Sequence, residues 1–267
     1  MNRQFDIIII GDSKEGNNTL KYIATFKPTI KIAFISREFK SSTTHDFLNV
    51  EYIKGEVAFT DYRNRLFGCY LASGERFYCT HLIIASGLKY EPYRVGNKRV
   101  PCVYNTTNDI PNNARTQPAL VIANSDKEVK FAMSVAKKYK QIYLCTPTIE
   151  LKAQPSTLKK LDATKNIVVL PNTSILRVFT SDEALNKVEL DNYSTVTCSA
   201  IYIKTATVPE TSFVSDKLIL KNEEQYLDTM NNLESSLVPK CFAVGNCAKK
   251  STKKMISNMY ETILNDF

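Results

Sequence analysis

The sequence predicts an α/β fold made of two similar halves. Residues 5–36 run from a buried strand through a glycine turn and a helix into a second strand, and residues 118–147 repeat that order. In each half, short alternating strands follow and end in another buried strand. This internal duplication indicates two units, each with a parallel sheet that is extended by a meander.

The first half begins with a βαβ unit. Residues 5–11, FDIIIIG, form a buried strand, residues 16–26 place apolar side chains at helical spacing, and residues 31–36 form a second strand. A strand, turn, helix and strand within about thirty residues make the two strands parallel. Residues 50–79 then alternate in short strands, and residues 80–87 form a buried strand that ends in a turn of small residues.

The second half follows the same plan and leads into a closing segment. Residues 118–147 are typical of a strand, a turn, a helix and a strand, and residues 166–204 of short antiparallel strands that end in a buried one. Residues 241–264 give a strand, a glycine turn and a helix. There is no low-complexity tract or evident flexible linker between these segments.

Composition argues against membrane insertion and export. The chain has 267 residues, 43% of them hydrophobic, which is enough for one large domain or two modest ones. Its longest apolar run, FDIIIIG, is far shorter than the ~20 residues of a membrane-spanning helix. The first residues lack the charged and apolar segments of a secretory signal. We therefore expect a soluble, cytoplasmic protein with no membrane partner.

Charge and cysteine usage argue against nucleic-acid and metal binding. The net charge is +8, but the lysines are dispersed, and the clusters at 137–140 and 249–254 lack interleaved aromatic residues. The seven cysteines include no C-x-x-C pair, and His45 and His81 are the only histidines. The pattern therefore predicts reduced thiols, no paired zinc site and no other metal site.

Three segments resemble one protein family in their order and spacing. They are DIIIIGDSKEG at 6–16, LIIASG at 82–87 and VPKCFAVGNC at 238–247. They are similar to the FAD turn, a buried strand and the final signature of the low-molecular-weight thioredoxin reductases. The resemblance covers nearly the whole chain, and it identifies a shortened, degenerate member of that family.

This resemblance implies two Rossmann-like domains, the second inserted into the first. Residues 1–115 and 206–267 would form a discontinuous FAD-type domain, and residues 116–205 the NADPH-type domain. The resemblance also implies a homodimer. Such a fold can persist after its cofactor sites have decayed, so each site has to be judged from its own residues.

By resemblance, the FAD site would be formed by Gly11, Ser13, Gly16, Ser36, Gly87, Gly245 and Asn246. In such turns the first glycine permits the bend, the second admits the pyrophosphate and the third packs the helix on the strand. Gly11 and Gly16 keep the outer roles, whereas Ser13 places a side chain in the middle. Ser36 replaces the acid that binds the ribose, and Asn246 replaces an aspartate. The helix N-terminus still offers free amides to an anion.

The electron-carrying groups of the family are replaced more thoroughly. Asn105 and Asn108 occupy the positions of its redox cysteines and Asp109 that of the neighbouring acid, so we expect no catalytic residue and no dithiol chemistry. The NADPH turn, here ANSDKE, has no glycine, and its Asp126 and Glu128 oppose a pyrophosphate. We therefore expect no NADPH binding.

Three functions stay open at this point. The first is a thioredoxin-reductase-like protein that has lost dithiol and NADPH chemistry and keeps FAD or an adenine nucleotide as a structural or sensing ligand. The second is an FAD-dependent oxidoreductase with an electron donor other than NADPH. The third is a scaffold that binds no nucleotide and docks a protein partner. Lys254 and Tyr260 stand where the family has a flavin-contacting glutamine and a glycine, and the phenol could fill the place of the flavin ring.

Overall fold

The computed structural model describes residues 3–39, 46–107, 117–181 and 184–267, which fold into two compact units. One unit joins Met1–Lys89 to Thr207–Phe267, and the other is Tyr90–Ala206. The first unit is thus discontinuous in sequence, and the second unit is formed by the residues between its two segments. This confirms the predicted α/β class with one Rossmann-like domain inserted into another. The limits of the cofactor domains at 115 and 205 stay a prediction.

Short strands make up most of the regular structure. The strands are β1 (Arg3–Ile10), β2 (Ile32–Ser36), β3 (Val50–Lys54), β4 (Val57–Arg63), β5 (Leu66–Leu71), β6 (Arg76–Ile84), β7 (Leu88–Tyr90), β8 (Arg94–Val95), β9 (Lys98–Arg99), β10 (Val103–Tyr104), β11 (Ala119–Ile122), β12 (Ile142–Cys145), β13 (Ile167–Leu170), β14 (Ile175–Ser181), β15 (Ala184–Leu190), β16 (Thr195–Thr197), β17 (Ala200–Ile203), β18 (Thr207–Pro209) and β19 (Cys241–Ala243). The helices are α1 (Lys14–Phe26), α2 (Asp126–Ala136), α3 (Pro155–Asp162) and α4 (Lys253–Asn265), with a short 3₁₀ helix at Gly245–Cys247.

The sheet of the first unit has the strand order β3-β2-β1-β6-β5-β4, with β19 also paired to β6. Strand β1 is parallel to both β2 and β6, and β19 is parallel to β6. Residues 7–9 of β1 are fully buried because both faces of the sheet are covered, as the run of isoleucines predicts. Helix α1 packs on one of these faces through Leu20, Ile23 and Ala24.

Strands β1, β6 and β19 point in the same direction, so their carboxyl ends lie at one edge of the sheet. The chain continues from β1 towards β2 on one side, while β6 lies on the other. This edge is therefore a switch point in strand order, where parallel sheets usually bind ligands. The predicted site residues Gly11, Gly87 and Gly245 lie just beyond these three strand ends.

The second unit has a five-stranded parallel sheet, in the order β10-β17-β11-β12-β13, and an antiparallel sheet of β14, β15 and β16. Helix α2 buries Val129, Ala132 and Val135 against the parallel sheet. The duplication predicted from the sequence thus appears as two parallel sheets, each built around a strand–helix–strand crossover.

Strand pairing differs from the sequence prediction at two places. Residues 50–54 and 167–170, which the sequence assigned to the meanders, add as parallel edge strands beside β2 and β12. A short strand of either direction has the same local pattern, so only the path of the preceding connection decides its partner. Within the described residues, no helix is long and apolar enough to cross a membrane.

Candidate nucleotide site

The two outer glycines of the first turn are required by packing. Gly11 has a φ of +104°, and a Cβ built on it would lie 2.5 Å from the carbonyl oxygen of Ala85. A Cβ on Gly16 would lie 2.3 Å from the carbonyl oxygen of Gly11. Strand β1, helix α1 and the end of β6 therefore approach one another through bare backbone, as the first and third positions of a nucleotide turn require.

Ser13, at the middle position of the turn, is the N-cap of α1. Its hydroxyl accepts a hydrogen bond from the backbone N–H of Gly16 at 3.1 Å. A capping side chain satisfies one of the amides that a helix start leaves without an intrahelical partner. This amide would otherwise be available to a phosphate, so Ser13 reduces the number of donors that the turn offers to an anion.

Asn17 brings an unsatisfied acceptor to the same turn. Its Nδ2 donates to the carbonyl oxygens of Asp12 and Ser13, at 2.8 and 3.1 Å, which fixes the orientation of the amide. Among the described residues, its Oδ1 is a buried oxygen with no hydrogen-bond partner. Because a buried acceptor without a donor costs free energy, the turn is suited to a donor group from a ligand or from water.

Glu15 joins the first turn of α1 to the loop that follows β19. A Cβ built on Gly245, whose φ is +81°, would lie 3.1 Å from both the Cβ and the Oε2 of Glu15. The half-buried side chain of Glu15 therefore lies against Gly245. A phosphate about 4 Å from this carboxylate would meet a repulsion of about 1 to 4 kcal/mol, depending on the local dielectric.

The other predicted cofactor residues are held in local turns. The hydroxyl of Ser36 is buried and donates to the carbonyl oxygen of Glu38 at 2.9 Å, so it closes its own turn. Gly87 has a φ of +71°, and its missing Cβ would face that of Ser13 at 3.8 Å. Asn246 is exposed in the 3₁₀ helix after β19, where an amide could reach a ligand hydroxyl.

Tyr260 of α4 packs against α1. Its ring stacks on that of Tyr22 with 4.1 Å between centroids and 12° between planes. Its hydroxyl lies 3.3 Å from that of Thr19. Burial raises the pKa of Tyr260, and the nearby charge of Glu15 acts in the same direction, whereas the hydrogen bond with Thr19 opposes them. The phenol thus fills space between the two helices, and its placement in the position of a flavin ring stays a prediction.

Asn105, which the resemblance predicts to stand at a redox position, has an architectural role in the structure. The side-chain oxygen of Asn105 accepts hydrogen bonds from the backbone N–H and the hydroxyl of Thr205, each at 3.0 Å. Together with Cys102, Asn105 lines a cleft of about 650 Å³ in the second unit. The other two predicted positions, Asn108 and Asp109, lie outside the described residues.

The second nucleotide turn uses its helix amides internally. The hydroxyl of Ser125 accepts from the N–H of Glu128, and the Glu128 carboxylate accepts from the N–H groups of Asn124 and Ser125 at 2.9 and 2.8 Å. This is a capping box, which typically stabilises a helix by about 1 kcal/mol. Asp126 accepts from the N–H of Gln154. The N–H groups of Asn124 and Ser125 are thus bonded to the carboxylate of Glu128, and that of Glu128 to the hydroxyl of Ser125.

Most of the thiols are buried, and those of Cys69, Cys79 and Cys241 lie close to one another in the core of the first unit. All of the cysteines except Cys102 are buried, and Cys102 is partly exposed. Burial raises the pKa of Cys145 to about 11 and that of Cys198 to about 12, so both stay protonated at neutral pH. Among the described residues, no group of three or more histidines, cysteines and acids could hold a metal ion.

The sequence indicated the glycines of the first turn but not the contacts of Asn17 and Glu15 there, nor the capping box in the second unit. The capping box at Ser125 has a local signal, a serine three residues before a glutamate at the start of an apolar pattern. Glu15 has no such signal, because its contact with Gly245 joins segments that are distant in the sequence.

Comparison with known proteins places this geometry in context. No protein-family model matches the chain. Thioredoxin reductase from Schizosaccharomyces pombe is 24% identical over 149 residues, which are 54% of this chain and 46% of that protein. The sequence match therefore spans about half the length of this curated relative.

Solved structures resemble the chain over almost its full length. The thioredoxin reductase of Lactococcus lactis, in its FR conformation, has a TM-score of 0.69 at 16% identity, and it covers 98% of this chain and 100% of its own. The thioredoxin reductase of T. acidophilum has a TM-score of 0.68 at 13% identity and covers 98% of this chain and 99% of its own. The resemblance to this family that the sequence indicated is confirmed, and at these identities the structures show the fold alone.

Proposed function

We propose that this chain, which has the thioredoxin reductase fold, binds FAD or an adenine nucleotide reversibly and acts through that binding rather than through dithiol chemistry. The observation that carries the proposal is the set of glycines at the switch point. Gly11, Gly87 and Gly245 all have positive φ values and lie at the ends of parallel strands β1, β6 and β19. Close approach of a ligand to backbone is the usual reason for such a set.

The loss of dithiol chemistry is supported by the chain's own contacts. A redox cycle of the family's kind requires two neighbouring thiols that can form a disulfide and exchange it. Asn105 stands at one of these positions, and its amide oxygen is bonded to Thr205. The only cysteine in the adjoining cleft is Cys102. One thiol cannot form an internal disulfide, so we propose that the chain does not reduce thioredoxin.

The loss of NADPH binding is supported by the second turn. The carboxylate of Glu128 already accepts from two backbone amides at the start of α2. A pyrophosphate would have to displace this carboxylate and would then lie close to the negative charge of Asp126. Both effects oppose a dinucleotide at this position.

Reversible binding, rather than a permanently held FAD, is proposed because the first turn is only partly adapted to phosphate. The crevice formed by the loops at Gly11, Gly87 and Gly245 suits a nucleotide in its backbone, whereas the Oδ1 of Asn17 can accept only from a donor such as a ribose hydroxyl and not from a phosphate oxygen. The hydroxyl of Ser13 already accepts from a backbone amide of the turn, the hydroxyl of Ser36 bonds within its own turn, and Glu15 lies beside Gly245. A ligand bound under these conditions would exchange with solution, as a sensing role requires.

The first experiment is an absorbance spectrum of the freshly purified protein, with mass spectrometry of anything released on denaturation. The second is thermal unfolding with and without FAD or ADP, since a ligand that binds only the native state raises its stability by about 1.4 kcal/mol at ten times its dissociation constant. We expect a protein without flavin absorbance whose unfolding temperature rises with nucleotide.

The other outcomes separate the alternatives. Stoichiometric flavin that a donor other than NADPH reduces would support an oxidoreductase. A protein without flavin and without any nucleotide-dependent shift would support a scaffold for a protein partner. Transfer of electrons from NADPH to a disulfide would overturn the proposal. A cytoplasmic location is also proposed from composition and cysteine usage, and a homodimer from the family resemblance, which light scattering after gel filtration tests.

A further inference from the structure

The side chain of Glu15 lies across the position where the first and last loops of the crevice meet. Its Cβ, Cγ and Oε2 are 3.1, 3.2 and 3.1 Å from the point that a Cβ on Gly245 would occupy. The side chain of Glu15 therefore lies against Gly245 along its length, and not only through its carboxylate. The residue is partly buried, and one carboxylate oxygen lies at this loop.

The electrostatic setting favours an anion at this point. Glu15 belongs to the first turn of α1, where the helix dipole stabilises negative charge. The same property makes helix N-termini bind phosphate groups. In this chain the carboxylate of Glu15 already lies in that favourable field. The N–H of Gly16 already donates a hydrogen bond to the hydroxyl of Ser13.

We propose that the negative charge of Glu15 repels phosphate groups in the crevice. This repulsion weakens the binding of phosphate-bearing ligands and keeps that binding exchangeable. The inference rests on the proposed nucleotide-binding function and names the residue that sets its specificity. Two negative charges within a few ångströms, in a partly desolvated crevice, are screened only weakly because the Debye length is about 8 Å at physiological ionic strength. Neutralising Glu15 should therefore strengthen binding of a phosphate-bearing ligand and leave that of its uncharged nucleoside unchanged.

The test compares wild type, Glu15→Gln and Glu15→Asp, with Glu75→Gln as the matched control. Glu75 is an exposed acid of the same unit, in the turn between β5 and β6, so its replacement removes one negative charge away from the crevice. ADP and adenosine are titrated by calorimetry at low and at physiological salt. Circular dichroism establishes that each variant is folded.

We expect Glu15→Gln to bind ADP at least tenfold more tightly than wild type, with less than a twofold change for adenosine. The difference for ADP should change little between low and physiological salt, because a repulsion over a few ångströms lies well within the Debye length and is screened weakly in both. Glu15→Asp should retain weak binding, and Glu75→Gln should behave as wild type.

Equal ADP affinity in wild type and Glu15→Gln would overturn the inference and leave the proposed function intact. A parallel gain for adenosine would also overturn it, because space rather than charge would then be responsible. If wild type binds no nucleotide but Glu15→Gln binds ADP, the proposed function fails and the role of Glu15 stands. If neither binds, both fail.

Discussion

The hydroxyl of Ser13 accepts a hydrogen bond from the backbone N–H of Gly16 at 3.1 Å, at the position where a nucleotide turn usually has its middle glycine. The serine therefore contributes to the stability of α1 and competes with any phosphate for the same amide. The proposed function therefore links stability and ligand binding through this one contact, which makes it a direct test of the site.

Replacing Ser13 by glycine should separate the two effects. An N-cap glycine costs only a few tenths of a kcal/mol relative to serine, whereas alanine costs about 1 kcal/mol. We expect Ser13→Gly to unfold close to wild type but to show a larger ADP-induced rise in unfolding temperature, because the Gly16 amide becomes available. Ser13→Ala is the control, because it also removes the capping hydroxyl but does not add the backbone freedom of a glycine. An unchanged ADP effect in Ser13→Gly would mean that the amide does not face the ligand.

Gly11 should be the least replaceable glycine among those with a positive φ. Gly11→Ala combines an unfavourable φ of +104° with a Cβ only 2.5 Å from backbone, so we expect a loss of at least about 3 kcal/mol. Gly74→Ala is the matched control, since its φ of +92° is similar but its surroundings are open, and it should cost about 1 kcal/mol. Urea midpoints followed by circular dichroism suit a chain without tryptophan. Equal shifts for the two variants would contradict the close packing of the turn.

His81 predicts a specific dependence of stability on pH. Its Nε2 lies 2.9 Å from Asp266, and its Nδ1 lies 3.0 Å from the hydroxyl of Thr80. Burial lowers the pKa of His81 from 6.5, although the hydrogen bond to Asp266 opposes this. The unfolded chain then binds a proton more readily than the folded one, so stability should be present above the unfolded pKa and fall as the pH drops below about 6.5.

The measurement is the urea midpoint between about pH 7.5 and pH 5.5. We expect a decline in wild type that becomes shallower in His81→Gln. The same slope in both proteins would assign the effect to other groups.

The arrangement of thiols predicts how the native protein reacts with a disulfide reagent. Cys102 is partly exposed, and the other six cysteines are buried. Thiolate is the reactive form, and burial raises the pKa of Cys145 and Cys198 far above neutrality. We therefore expect one fast equivalent of reaction near pH 8, which Cys102→Ser removes. Two thiols that react fast and oxidise to an internal disulfide would contradict this expectation and support a dithiol mechanism.

Local pattern was sufficient to predict the central strands and the outer glycines of the first turn. Four consecutive isoleucines between a polar start and a glycine predict a buried parallel strand, because a strand covered on both faces has no reason to alternate. Gly11 and Gly16 could be placed because their spacing reflects a requirement of the backbone itself. The assignment of 50–54 and 167–170 to meanders was wrong, because strand direction depends on the connection and not on composition.

The sequence by itself determined the fold class and the duplicated strand–helix–strand units, since these follow from residue identity and short-range periodicity, whereas the replacement of the family's cysteines and NADPH glycines stays a prediction from the resemblance. Only the tertiary structure brought Glu15 onto Gly245 and stacked Tyr22 on Tyr260. Such contacts join residues that are remote along the chain, and they exist because three strand ends and two helices converge at one edge of a sheet. Which side chains surround the crevice therefore depends on packing between distant segments, and no local sequence pattern predicts that packing.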